Sequence, residues 1–271
     1  MEIIISANNA FCKWLNIDLP RVQTTKGDGV GVQPLFTNAN RVSWQVQALK
    51  KTMANTENRR DVIVVEAYSR YTMIFSNMEA WEPSAFEEAL LYRWNHELIH
   101  QMLRANKINE GEIGRFIDQF DAIPFDFHWI QNTDMSVNGH LSDAQYWLES
   151  IYSIYGYNCL NFNETLALSA DINSCRKKAI LSKKPKKYER FYPEQRFVAD
   201  GLWRFTNKNV PSPYAQKTFN RFPYPYKLGP SKAQILDGIV RKPKAKKIYF
   251  TDNVVSIDEL RKAKALKRHK Q

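Results

Sequence analysis

The chain has 271 residues, 44% hydrophobic and 13% aromatic, which is enough to bury a full core, and no apolar run of about 18 residues is present to cross a bilayer. Its net charge of +11 is unevenly laid out: residues 176–271 hold 26 basic and 7 acidic side chains (+19), which leaves 13 basic and 21 acidic (−8) in the first 175. Three widely spaced cysteines (Cys12, Cys159, Cys175) without a C-x-x-C pair, and an N-terminus with Glu2 and a four-residue apolar run in place of a secretory signal, argue against a disulfide framework and for a reducing cytoplasmic setting.

Glu2 to Ser6 is β-branched and reads as a strand, and Phe11 to Leu15 as a short amphipathic segment. Residues 23–40, rich in glycine and asparagine, read as a loop. SWQVQAL, whose Ser43 and Trp44 read either as a ligand-stacking platform or, as the favoured expectation, as strand residues with Trp44 in the core, is followed by DVIVVEAY and RYTMIF, two strands about a turn at Tyr68 to Arg70. This pattern predicts an antiparallel meander with one buried face. Ser84 and Glu87 form a capping box after Pro83 and start a helix in which Phe86, Leu90, Trp94, Leu98 and Met102 recur every fourth residue. A second helix is predicted over Glu110 to Phe120, a strand at FDFHWIQ, and a third helix from Ser136 to Tyr155. The expected class is α+β, a small antiparallel sheet packed with about three helices in an acidic body spanning residues 1–180. Residues 181–271, rich in proline, aromatics and lysine, read as an irregular basic extension that ends in a short helix behind a capping box at Ser256 and Glu259.

Within the first helix, His96-Glu97-Leu98-Ile99-His100 spells the H-E-x-x-H of zinc peptidases, in which two histidines hold the metal and the glutamate activates water. The apolar stripe centres on Trp94, which places both histidines on the other side with Arg93, Arg104 and Lys107, a cationic setting unfavourable to a dication. A third ligand is also wanting: Asn106 stands where a third histidine would fall, and no glutamate occurs between Glu112 and Glu149. A solvated helix face is therefore the expectation, with a metallopeptidase as the lesser alternative. No phosphate loop or G-x-S-x-G elbow is present, and no cofactor is implied.

The blocks IIISANNAF, SWQVQAL, NTDMSVNGHLSDA and ADINSC, spread over roughly residues 2–200, resemble a family of small bacterial proteins known as a domain of unknown function. The resemblance implies an α+β body and transfers no catalytic residue. In that family the third block runs approximately T-x-x-R-S-V-x-G-x-x-N-D; here Met135 stands where it favours arginine. From the residues themselves, Ser136 is expected to cap the third helix, and Thr133, Asp134 and Ser136 to form either a cap and turn or a candidate anion pocket at a helix N-terminus.

Clustered cations recur through the extension, and Lys183, Lys184, Lys186, Lys187, Arg241, Lys242, Lys244, Lys246, Lys247, Arg268 and Lys270 are the expected contacts to a polyanion. Aromatics interleaved among them suit stacking on unpaired bases. The expected function is backbone-directed nucleic-acid binding, RNA somewhat preferred, as an accessory protein of a bacterial or mobile-element ribonucleoprotein. The competing expectations are an adaptor whose aromatic, basic arm docks a larger protein assembly, and an arm that packs on its own acidic body.

Overall fold

The computed structural model describes residues 1–22, 31–50, 59–80, 82–183, 186–206, 210–214, 247–250 and 253–256. Short β-branched and aromatic runs build the sheet. Strands β1 (Glu2–Ala7), β2 (Arg41–Lys50), β3 (Arg59–Glu66), β4 (Thr72–Glu79) and β5 (Asp126–Gln131) form one five-stranded sheet in the order β4-β3-β2-β1-β5. The expected meander is present: β3 pairs antiparallel with β2 and with β4. β1 runs parallel to both β2 and β5, with Ile3 opposite Val42 on one side and Phe127 on the other, so the whole sheet is mixed.

Helices cover both faces of this sheet, which corrects the expectation of one buried face. On one side α1 (Asn9–Leu15), α2 (Pro83–Arg104), α3 (Ile113–Asp121) and α6 (Pro193–Phe205) place Phe11, Phe86, Phe116 and Phe197 in one core with Ile3, Trp44, Val62 and Val64. On the other, α4 (Met135–Tyr155) and α5 (Phe162–Ser174) pack Leu141, Leu148, Leu168 and Ile172 on Ile63, Val65 and Ile74. Period-two alternation along β3 feeds the two cores in turn, giving a three-layer α+β architecture. Trp44 is fully buried, as expected, and meets Trp94 edge-on at 5.4 Å. Each such buried side chain contributes roughly 2–3 kcal/mol of transfer free energy.

Local signals set the element ends. α2 starts at Pro83 behind Glu82 with no side-chain cap, so the expected Ser84 and Glu87 box is not formed. Proline presets the first helical φ and has no N–H to satisfy; Glu87 instead accepts the Trp129 indole N–H at 2.6 Å and ties the helix to β5. α5 has the reciprocal box that α2 lacks, with Asn161 and Glu164 each bonding the other's backbone N–H. α4 ends at Gly156, whose φ of 67° only glycine adopts freely. Asn173 of α5 donates to the Thr72 carbonyl and accepts from the Thr72 N–H, closing part of the exposed edge of β4.

The boundary expected at residue 180 falls inside a hairpin, β6 (Lys177–Lys183) with β7 (Lys186–Phe191), and α6 beyond it returns Phe197, Val198, Leu202 and Phe205 to the main core. The body therefore continues past residue 180, because Arg196, Asp200 and Arg204 of α6 are paired within the fold and its apolar stripe is left to bury. A separate hairpin, β8 (Lys247–Phe250) with β9 (Asn253–Ser256), follows. The helix expected beyond Ser256 lies outside the described residues. Among those described, no helix is long and apolar enough to cross a membrane.

Candidate nucleic-acid interface

The β6–β7 hairpin sorts its charges by strand alternation. Lys177, Glu189 and Phe191 turn inward and are buried, whereas Lys178, Tyr188 and Arg190 are exposed, as is Arg176 just ahead of β6. Each inward charge has a partner. Lys177 Nζ donates to Asp143 of α4 at 2.7 Å, and Glu189 pairs with Arg196 of α6. The Arg196 guanidinium also lies 3.6 Å over the Phe191 ring and donates to the Tyr68 carbonyl at 3.2 Å, so the hairpin base is pinned to the β3–β4 turn. On the outer face Lys178 and Arg190 are direct cross-strand partners, two cations about 5 Å apart at Cβ. Lys178 Nζ sits 3.7 Å over the ring of Tyr188. Together with Arg176 and Glu189 these residues line an open groove of about 360 Å³.

A second basic side chain of the extension is likewise used internally. Arg204 Nε donates to both carboxylate oxygens of Asp200 at 2.8 and 2.9 Å, the Tyr214 hydroxyl donates to Asp200 at 2.7 Å, and Arg204 Nη1 donates to the Ala39 carbonyl at 2.9 Å. Burial pushes the Asp200 carboxyl up and Arg204 opposes it. Among the described side chains, the cations after Cys175 thus divide: Lys177, Arg196 and Arg204 hold the fold together, while Arg176, Lys178 and Arg190 face outward.

The polyanion contacts expected from sequence fall unevenly on the structure. Lys183 and Lys186 are backbone partners at the end of the hairpin, Lys187 follows in β7, and Lys247 opens β8. Lys184, Arg241, Lys242, Lys244, Lys246, Arg268 and Lys270 lie outside the described residues. Arg176 and Lys178 belong to the cation cluster Arg176-Lys177-Lys178, in which sequence does not tell the buried Lys177 from its exposed neighbours, and the exposure of Arg190 depends on a hairpin that the lysine and proline content conceals. The run Arg176-Lys177-Lys178 is the signal the sequence offers.

The His96 to His100 face is not solvated. Glu97 is fully buried: Oε1 accepts from Arg93 Nε at 2.9 Å, and Oε2 accepts from the Tyr71 hydroxyl at 2.7 Å. Arg93 also donates to Thr165 at 2.9 Å, and Tyr71 stacks on Phe197 with centroids 3.7 Å apart. α5 and α6 therefore cover the face that helical periodicity assigned to water. His100 is buried, and half-buried His96 packs 4.2 Å from the Tyr92 ring. Burial raises the Glu97 carboxyl above the usual range against the pull of Arg93. A water-activating base needs an opening to substrate, and Glu97 has none. Among the described residues no three His, Cys, Asp or Glu side chains are grouped as metal ligands.

Of the two readings of Thr133, Asp134 and Ser136, the geometry matches the cap and turn, with a different capping residue. Asp134, not Ser136, caps α4: Oδ1 accepts from the Ser136 N–H at 2.7 Å and Oδ2 from the Leu35 N–H at 2.8 Å, while its own N–H donates to Gln45 at 2.7 Å. The Thr133 N–H donates to the Gly31 carbonyl at 2.8 Å. Arg70, in the left-handed region at φ 60°, donates to Ser136 Oγ at 2.9 Å. The anion at this helix end is the protein's own carboxylate, which ties the segment before β2 to the sheet.

No family model, curated protein or solved structure matches the chain.

Proposed function

We propose that the protein binds nucleic acid through the phosphate backbone, in a reducing cytoplasm, as an accessory component of a ribonucleoprotein or a related nucleic-acid assembly. The observation that carries the reading is the division of charge on the β6–β7 hairpin: inward charges have partners in the body, and the outward face presents Arg176, Lys178 and Arg190 beside a lysine-rich hairpin end. Each phosphate neutralised by such a side chain releases condensed counterions, so affinity needs no base contact. The expectation of RNA rested on stacking. Of the described aromatics in and around the extension, Tyr188 lies under Lys178, Tyr68 and Phe191 under Arg196, and Trp203 and Tyr214 under Arg204, while Tyr192 is exposed, so in this reading backbone contacts carry most of the affinity.

The test is fluorescence anisotropy of the full chain on labelled RNA and DNA over a salt series. Affinity should fall by about a thousandfold between about 50 and about 200 mM salt, as for a protein making several phosphate contacts. Changing Lys183, Lys184, Lys186 and Lys187 together to glutamate should remove most of it. Salt-independent binding, or binding unaffected by those changes, rejects the proposal.

A further inference from the structure

We propose that the outer face of the β6–β7 hairpin enters the major groove of duplex DNA, with Lys178 and Arg190 toward base edges and Arg176 toward the flanking phosphates. This rests on the nucleic-acid reading above and narrows it to one form of ligand.

Shape is the first argument. The hairpin is a two-stranded antiparallel ribbon, not joined to the main sheet among the described residues, and the seven residues of β6 span about 23 Å. The major groove of B-form DNA admits a two-stranded ribbon, whereas that of an A-form RNA duplex is too deep and narrow for side chains to read. The base of the ribbon is held on three sides, by Lys177 on Asp143, Glu189 on Arg196, and the buried Phe191 ring. The ribbon is thus preorganised, and little ordering is left for binding to impose.

Charge is the second. Like charges directly opposite across a strand pair destabilise it, yet Lys178 faces Arg190 on the exposed side while Lys177 and Glu189 find opposite charges within the body. An anionic groove relieves that repulsion. Guanine also offers N7 and O6 acceptors on the groove floor, which arginine and lysine take. Stacking makes the third argument: one face of Tyr188 is already covered by Lys178, so on the outer face of the ribbon this ring has at most one face to offer an unpaired base.

The experiment uses the full chain and four probes of one sequence: duplex DNA, duplex RNA, single-stranded DNA and single-stranded RNA. Duplex DNA should bind about tenfold or more tightly than the rest, Lys178→Glu with Arg190→Glu should weaken it by about tenfold or more, and Arg176→Gln should lower the salt slope by about 1. Both side chains are exposed, so melting temperature should hold; the milder Lys178→Gln with Arg190→Gln should weaken binding in the same direction. Replacing guanine by 7-deazaguanine, which removes N7 and leaves every phosphate, should weaken duplex binding several-fold. Single strands or duplex RNA held as tightly as duplex DNA, or indifference to 7-deazaguanine, overturns groove entry and leaves the nucleic-acid reading standing. Failure to bind any of the four probes sinks both.

Discussion

Glu97 and Asp134 are carboxylates that a motif reading assigns to chemistry and the fold assigns to architecture. The spacing of residues along α2 says which side of the helix Glu97 occupies, and it is silent on what lies across from that side. Thr165 and Ser169, which help hold Arg93 beside Glu97, come from a helix some 70 residues away in sequence. Asp134 was legible as part of a cap, but which of three neighbouring polar residues faces the helix end depends on where Leu35 and Gln45 sit. His140 shows the same dependence on distant partners. Burial first, then the positive charges of Arg70 and Lys177, push its pKa down to about 3, with Asp143 opposing. Because the folded value lies below the ordinary 6.5, the ring's contribution to stability is complete above about pH 6.5 and is lost as pH falls toward 3. Denaturant titrations from about pH 7 to about pH 3.5 should show the natural protein losing on the order of 3 kcal/mol more stability than His140→Gln. Parallel acid limbs for the two proteins would refute this assignment.

Elements with a clean hydrophobic period, β1, β3, β4, α2 and α4, are readable from sequence because one interaction dominates each. α5 and α6 are not. In α6, Glu194, Arg196, Asp200 and Arg204 give thirteen residues the look of a solvated segment; Asp200 and Arg204 pair at i,i+4 within the helix, whereas Arg196 is neutralised by Glu189 of β7, a partner that the sequence does not reveal. Signals were nonetheless present: Pro193 at the first turn, and Phe197, Gly201 and Phe205 at four-residue spacing. Gly201 marks where α6 crosses α2. A Cβ there would strike Leu98 and come within 2.8 Å of Met102 Cε, both in fully buried side chains. Alanine is the better helix former by about 1 kcal/mol, yet overpacking costs about 1–3 kcal/mol. Gly201→Ala should therefore lower the melting temperature by a few degrees in calorimetry, and Gly201→Leu by more; a rise on either change would mean the crossing is looser than described.

At the scale of the whole molecule, the composition boundary and the fold boundary do not coincide. Charge changes sign near Cys175, but the body continues through α6 to the Tyr214 contact with Asp200. A protein stopped after Ile180 loses Phe197, Val198, Leu202 and Phe205 from the main core, whereas one stopped after Tyr214 keeps them. Urea unfolding followed by tryptophan fluorescence should give one cooperative transition for the longer form and a shallow, non-cooperative curve for the shorter. Equal cooperativity in both would place α6 outside the folding unit. The interior position of β1 reaches further still. It sits between β2 and β5, and its second neighbour is not made until residue 126 has been added. A nascent chain on the ribosome therefore carries this apolar ribbon half-paired until β5 has been added, open in that interval to chaperones or to its own copies.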